Sequence, residues 1–407
     1  MERETVPRFT GKMIKRKNMR KEPSKKKKGN NNLLSIVLFM FLGAACGILI
    51  MLYWEHAKGT GMSLSRQILA IGALIIGMYA AMLLQIIIHE AGHLVFGLLT
   101  GYKFSSFRIF NLMLLKEDGR LRFRKLSIAG TGGQCLMCPP DLKDGKMPYM
   151  LYNFGGAIMN ILAAVLSLAL CFILQSYSAG WAFCAILAVI GLGYALINGL
   201  PVKMGPVNND GRNAFDMVAS EEAVRAFWVQ LKINEMVSKG VRLKDMPESW
   251  FTVPSDESMK NGITSATAVF ACNRLMDMHR FSEADALMAR ILSPEIGLID
   301  LYRMMLVCDR MYVELISENR PDILEGMRTS EQLKLMKSMK NNPSVLRTEY
   351  AYALLAEKNA AKAREIEKQF EKSSKSYPYP NEIESERELL LIANEIAEGA
   401  EASKRDL

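Results

Sequence analysis

The chain has 407 residues, half of them hydrophobic and 23% charged, a mixture that suits membrane spans joined to a soluble part. Its net charge of +9 lies wholly in residues 1–32, which hold 12 Lys/Arg against 3 acidic residues, so the rest is formally neutral. A basic tail without interleaved aromatics excludes a nucleic-acid reader, and seven scattered cysteines exclude a disulfide framework.

The tail ends in "KKKK" at 25–28 and reads as a solvated arm that sets membrane topology, with affinity for anionic lipid head groups as a second use. Four apolar stretches follow: Leu33–Trp54, Gln67–Ile88 with an apolar continuation to Leu99, Tyr149–Leu174 and Trp181–Leu200. Each approaches or exceeds the roughly 20 helical residues that cross a hydrocarbon core of about 30 Å. The first is too long, and its basic leader too extended, for a cleavable signal peptide, so it is expected to stay as a span. Lys and Arg then set the orientation. The tail and the loop 102–148, with nine basic residues against four acids, belong to the cytoplasmic side. The poorly charged loops 55–66 and 175–180 belong outside. Both termini are expected in the cytoplasm.

The second span ends in "IIIHEAGHLVFG", 86–97. Ionisable side chains are costly in lipid and mark functional sites there. On a helix, His89 and His93 share a face and can grip one ion. Glu90 sits beside the first ligand. Zinc lowers the pKa of a bound water toward about 7, and the glutamate can take its proton as it attacks a peptide carbonyl. A buried hydrogen-bonded histidine pair is the plainer alternative.

Between the second and third spans, "KFSSFRIFNLMLL" and "RLRFRKLSI" alternate apolar and polar residues around Asp118-Gly119, a hairpin pattern. Such a strand could hold an extended substrate by β-augmentation, or merely cover the site. The glycine-rich "AGTGG", 129–133, lacks the Lys-Ser/Thr of a phosphate loop and reads as a flexible loop. Cys135 and Cys138 form one lone CxxC, which is expected to be an ordinary reduced pair.

A catalytic zinc needs a third protein ligand. The other two histidines, His56 and His279, fall in the outer loop and in the soluble half. A carboxylate at the same depth is required. After the fourth span, "NGLPVKMGPVNNDGRNAF" breaks the helix at Pro201 and offers Asp210 in Asp-Gly. Irregular backbone is tolerated at that depth where it lines a protein cavity. A simple Asp-Gly turn is the alternative reading, and Asp118, Asp141 and Asp144 are rival carboxylates on the same side.

From about 213 the pattern becomes charged and helical. Segments 280–292 and 349–374 resemble tetratricopeptide-type helix pairs, although no clean 34-residue period is visible. A generic helical bundle is the alternative. No acid, base and nucleophile cluster there, which leaves regulation or partner binding.

Taken together, "HEAGH", then "GGAIMN" with Gly156, Ala157 and Asn160, then Asn198, Pro201 and Asp210-Gly211 resemble the site-2 proteases, the zinc intramembrane metalloproteases. The resemblance covers about residues 67–215. It implies His89, His93 and Asp210 as zinc ligands and Glu90 as catalytic base. By the same match, Asn160 and Asn198 would be polar active-site or substrate-positioning residues. Two features depart from the family pattern. Ala157 stands where the family usually has proline, and eight residues separate Pro201 from Asp210, more than is common. The second departure makes Pro206 a rival for the relevant proline.

The expected architecture is mainly α: a polytopic membrane protein with four transmembrane helices, a small β-hairpin or sheet near the active site and a C-terminal α-helical, TPR-like soluble domain. Its parts are a cytoplasmic tail (1–32), a first span (33–54), a metalloprotease core (67–215) and a cytoplasmic helical domain (216–407). The expected function is zinc-dependent hydrolysis of transmembrane or membrane-proximal protein segments, in the cell membrane. The partners are a membrane-protein substrate, the lipid bilayer and a regulatory protein at the C-terminal domain, with no nucleic acid. A catalytically silent scaffold that binds partners through its helical C-terminus is the alternative. Four histidines are too few for a di-iron hydroxylase, and the apolar helix before His89 does not suit a soluble zincin.

The charge asymmetry can be tested by labelling. A cysteine placed in the loop 55–66 should react with an impermeant reagent from outside, and one near residue 390 should not. The reverse pattern would overturn the orientation.

Overall fold

The computed structural model describes residues 31–117, 119–128, 130–201, 203–204, 207–218 and 220–405. The basic tail, Asp118 and Pro206 lie outside the described residues.

Four helices are long and apolar enough to cross a membrane: α1 (Asn31–Gly59), α2 (Leu64–Leu99), α3 (Tyr149–Ile173) and α4 (Ala179–Gly199). Their burial is inverted relative to a water-soluble bundle. Large apolar side chains such as Leu69, Ile76 and Phe172 face outward, while Gln85, His89, Glu90, Asn153 and Asn160 are buried. That distribution suits lipid outside and a polar site within. Helix α2 has 36 residues, about 54 Å at 1.5 Å per residue, so it outruns a hydrocarbon core and must tilt or project from it.

Helix α3 packs between α2 and α4, and α1 lies against α4. Glycines permit the closest of these contacts. A Cβ on Gly92 would lie 2.3 Å from the Gly155 carbonyl oxygen, and one on Gly155 would lie 2.7 Å from the Gly92 oxygen. Helices α2 and α3 therefore cross backbone to backbone, as small residues allow in membranes.

The expected hairpin is part of a larger sheet. Strands β1 (Lys103–Ile109), β2 (Leu112–Glu117), β3 (Arg120–Lys125) and β4 (Gly133–Cys138) pair antiparallel in the order β3-β2-β1-β4. Glu117 opposes Arg120 where β2 meets β3, and Gly119 beside them has φ 78°, which a glycine adopts readily. The first arm of the hairpin is not one strand. It folds back at Phe110, whose φ of 51° is unusual for a bulky residue, and becomes β1 and β2. One face of β2 buries Met113 and Leu115 against Val229, Ile233 and Tyr379 of the helical half.

Cys135 and Cys138 lie three residues apart on β4. Side chains alternate across a strand, so residues at i and i+3 point to opposite faces. Both thiols are free, and burial pushes both up in pKa.

Past α4, strands β5 (Lys203–Met204) and β6 (Val207–Asn208) make a two-rung ladder. They lead into α5 (Asp210–Val218) and α6 (Glu221–Ser238). The remaining helices are α7 (Gly262–Asp277), α8 (Phe281–Ile291), α9 (Asp300–Ile316), α10 (Pro321–Met327), α11 (Ser330–Ser338), α12 (Pro343–Ala351), α13 (Ala360–Ser374) and α14 (Pro380–Arg405). They enclose one apolar core, with Cys272, Met288, Leu306, Tyr312, Leu346 and Phe370 in its interior. Arg347 is buried in that core between Asp309 and Glu386, 2.6 and 3.0 Å away, which supplies the partners a buried charge needs.

Candidate metal centre

The site begins with the periodicity of α2. His89 and His93 lie one turn apart and project toward α3, with their Nε2 atoms 3.2 Å from each other. Each ring is oriented by an oxygen at its other nitrogen. His93 Nδ1 lies 2.7 Å from the carbonyl oxygen of Tyr152. A carbonyl can only accept, so Nδ1 carries a proton, and in the neutral ring Nε2 keeps its lone pair.

His89 is held by a longer relay. Its Nδ1 lies 2.7 Å from Asn160 Oδ1. The Asn160 amide is itself fixed, because its Nδ2 donates to the Gln85 carbonyl and to Gln85 Oε1 at 2.9 and 2.7 Å. Gln85 in turn donates from Nε2 to the Leu187 carbonyl of α4. Oxygen must therefore face His89, and His89 Nδ1 is the donor. Gly156 completes the seat: a Cβ there would fall 2.4 Å from the His89 ring. Asn160 is thus brought to the site as a partner of a histidine. Sequence reasoning missed Gln85, although it lies one helical turn before His89.

Asp210 opens α5. Its Oδ2 is 3.0 Å from His89 Nε2 and 3.3 Å from His93 Nε2. The eight-residue spacer after Pro201 is taken up by the β5–β6 ladder, which turns the chain back toward α2. Asn209 anchors the return. Its Nδ2 donates to the carbonyls of Ile197 and Leu200 at the end of α4, and its Oδ1 accepts from the Arg212 amide. That is N-cap chemistry, and an asparagine directly before a helix was the available signal. Gly211 is required by contact, since a Cβ would lie 2.3 Å from the Gly199 carbonyl oxygen.

The Asn198 amide donates to the Tyr194 carbonyl one turn back, 3.1 Å away. No described hydrogen bond joins it to the histidines. Glu90 is buried beside His89, and the backbone of Gly133 on β4 packs against its carboxylate: a Cβ on Gly133 would lie 2.4 Å from Oε1.

The donor set fits a metal ion. His89, His93 and Asp210 are the one group among the described residues able to converge on an ion. With both Nδ1 atoms protonated, the two Nε2 atoms and Oδ2 present three lone pairs to one another and no hydrogen. Such a cluster needs a cation between its atoms, either a metal ion or a proton on an imidazole. Bonds of about 2.0–2.2 Å in a tetrahedron give ligand separations of about 3.3–3.6 Å. The observed 3.0–3.3 Å lies at or just under that range. The histidine side chains are 8% exposed and the Asp210 side chain 25%, so the centre is open on the aspartate side.

Asn160→Ala should free the His89 ring and weaken zinc binding by about 10–100-fold, the usual effect of losing the partner that orients a histidine ligand. Isothermal titration of the demetallated protein with zinc would measure it, and unchanged affinity would remove Asn160 from the site. Comparisons with protein-family models, with curated proteins and with solved structures return no match.

Proposed function

We propose that this chain is a membrane-embedded zinc metalloendopeptidase of the site-2 protease type, acting on transmembrane or membrane-proximal protein segments. The observation that carries this reading is the convergence of His89 Nε2, His93 Nε2 and Asp210 Oδ2, with both Nδ1 protons committed to oxygens and Glu90 buried alongside. A zinc ion held by these three residues supplies a Lewis acid that acidifies water and polarises a peptide carbonyl. The protein residues do the rest. Glu90 takes a proton from water and returns it to the amine that leaves. Asn160 and the Tyr152 carbonyl keep the two imidazoles in the tautomer that binds metal. Helices α2–α4 limit access from bulk water.

The substrate needs an extended stretch, because a helix hides its peptide bonds in its own hydrogen bonds. Strand β4 is at the edge of the sheet and reaches the Glu90 carboxylate at Gly133. It is the strand best situated to receive a peptide by β-augmentation. The helical half would bind a regulatory protein in the cytoplasm, where both termini lie in this reading.

Two substitutions separate the roles. Glu90→Gln should keep zinc and lose activity by about 10²–10⁴-fold, since an amide cannot accept the proton. Asp210→Asn should lose activity and most of the zinc together. Zinc content by mass spectrometry and cleavage in detergent or liposomes would read both. A Glu90→Gln protein with near-wild-type turnover would remove Glu90 from the chemistry. A wild-type protein that binds zinc but cleaves no membrane segment would favour the scaffold.

A further inference from the structure

Arg108 is a large charged residue, yet it is only 1% exposed. It sits on β1, outside the four apolar helices. A guanidinium in such a place is costly unless its donors are met. None of its described contacts is a carboxylate. Nη1 donates to the Phe110 carbonyl, and Nη2 donates to Thr131 Oγ1 and, at 3.3 Å, to the Gly133 carbonyl. Nε is buried without a partner. Its hydrogen bonds thus go to neutral acceptors, two of which lie in one short segment, while the Glu90 carboxylate acts on its charge through space.

That segment is the glycine-rich stretch expected to be a flexible loop. In the structure it is a strap. The Phe110 amide donates to the Gly132 carbonyl at 2.8 Å, next to the Arg108 contacts. On its inner side, Gly132 approaches Ile86, one turn before Glu90, and Gly133 touches Glu90 itself. Just before the strap, Ile128 packs against the core of the helical half. The strap thus runs from the helical domain to the wall beside Glu90, and Arg108 ties it to β1.

We propose that Arg108 is a positioning residue: it locks the strap 130–133 against Glu90 and so fixes the carboxylate for proton transfer. The function assigned to Glu90 rests on the peptidase reading, whereas the lock itself is a statement about the strap. A misplacement of about 1 Å at a reacting group can cost 10²-fold in rate. Glycine at 133 makes the contact with Glu90 close, and the same residue's carbonyl is the one Arg108 holds. Loss of Arg108 should therefore move the wall of the Glu90 pocket without touching a metal ligand.

The test uses Arg108→Met, Arg108→Lys and Thr131→Val in the full-length protein. Three readouts are needed: kcat and KM per zinc-loaded molecule, zinc content, and hydrogen exchange of the amides at 131–134. Arg108→Met should lower kcat by about 10–100-fold with KM within twofold and zinc unchanged, and should speed exchange across the strap. Arg108→Lys, which keeps the charge without the fork, should fall between it and wild type. Should Arg108→Met not fold, Thr131→Val removes a single acceptor of the lock and should still lower kcat at least threefold and loosen the strap. A folded Arg108→Met with wild-type kcat and exchange would overturn the proposal, as would a Thr131→Val protein unchanged in both. Wild-type protein without zinc-dependent cleavage would instead defeat the peptidase reading. Exchange alone then decides the lock: faster exchange at 131–134 upholds it and unchanged exchange refutes it.

Discussion

Two hydrogen bonds made by histidine Nδ1 atoms, one to the Tyr152 carbonyl and one to Asn160 Oδ1, govern the chemistry available to this molecule. Each takes the neutral ring's proton to the side away from Asp210, so that the Nε2 lone pairs of the neutral rings face a carboxylate. A histidine free to choose its tautomer would place a hydrogen between these atoms and form an ordinary buried polar cluster. Here the backbone of α3 and the fixed amide of Asn160 remove that choice. The fit of the site to a metal ion therefore depends on how α3 lies along α2, and not on the two histidines alone.

That placement depends on missing side chains. Gly92 and Gly155 let α2 and α3 cross at backbone contact, Gly156 makes room for the His89 ring, and Gly211 lets the start of α5 rest on the end of α4. Each is a close approach that a methyl group would block. The buried polar relay from His89 through Asn160 and Gln85 to Leu187 spans three helices, so satisfying it also fixes their register. In a bundle with outward-facing apolar surfaces, such a relay and close glycine contacts supply specificity that apolar packing alone does not.

Much of this was legible in the chain. The four apolar runs and the i,i+4 histidines are local patterns with fixed physical meaning, and the shortage of histidines pointed to a carboxylate as third ligand. The structure brings Asp210 to them. Three things were not legible. The turn at Phe110 divides one apparently continuous strand in two, and nothing in local propensity marks a phenylalanine as a positive-φ residue. Gln85 and Asn209 have ordinary side chains whose partners come from other helices or from backbone carbonyls, so their roles appear only with tertiary contacts. The stretch after Ala129 has the composition of a loose loop, and its order comes from a buried arginine more than twenty residues earlier.

In the proposed centre His89, His93 and Asp210 hold one zinc ion. Zinc-edge X-ray absorption on the purified protein would read its ligands. One zinc per chain is expected, with a first shell of nitrogen and oxygen only, at about 2.0–2.2 Å, and with two imidazoles in the outer scattering. A sulfur shell at about 2.3 Å would move the metal to the cysteines, and a protein that takes up no zinc would contradict the claim altogether.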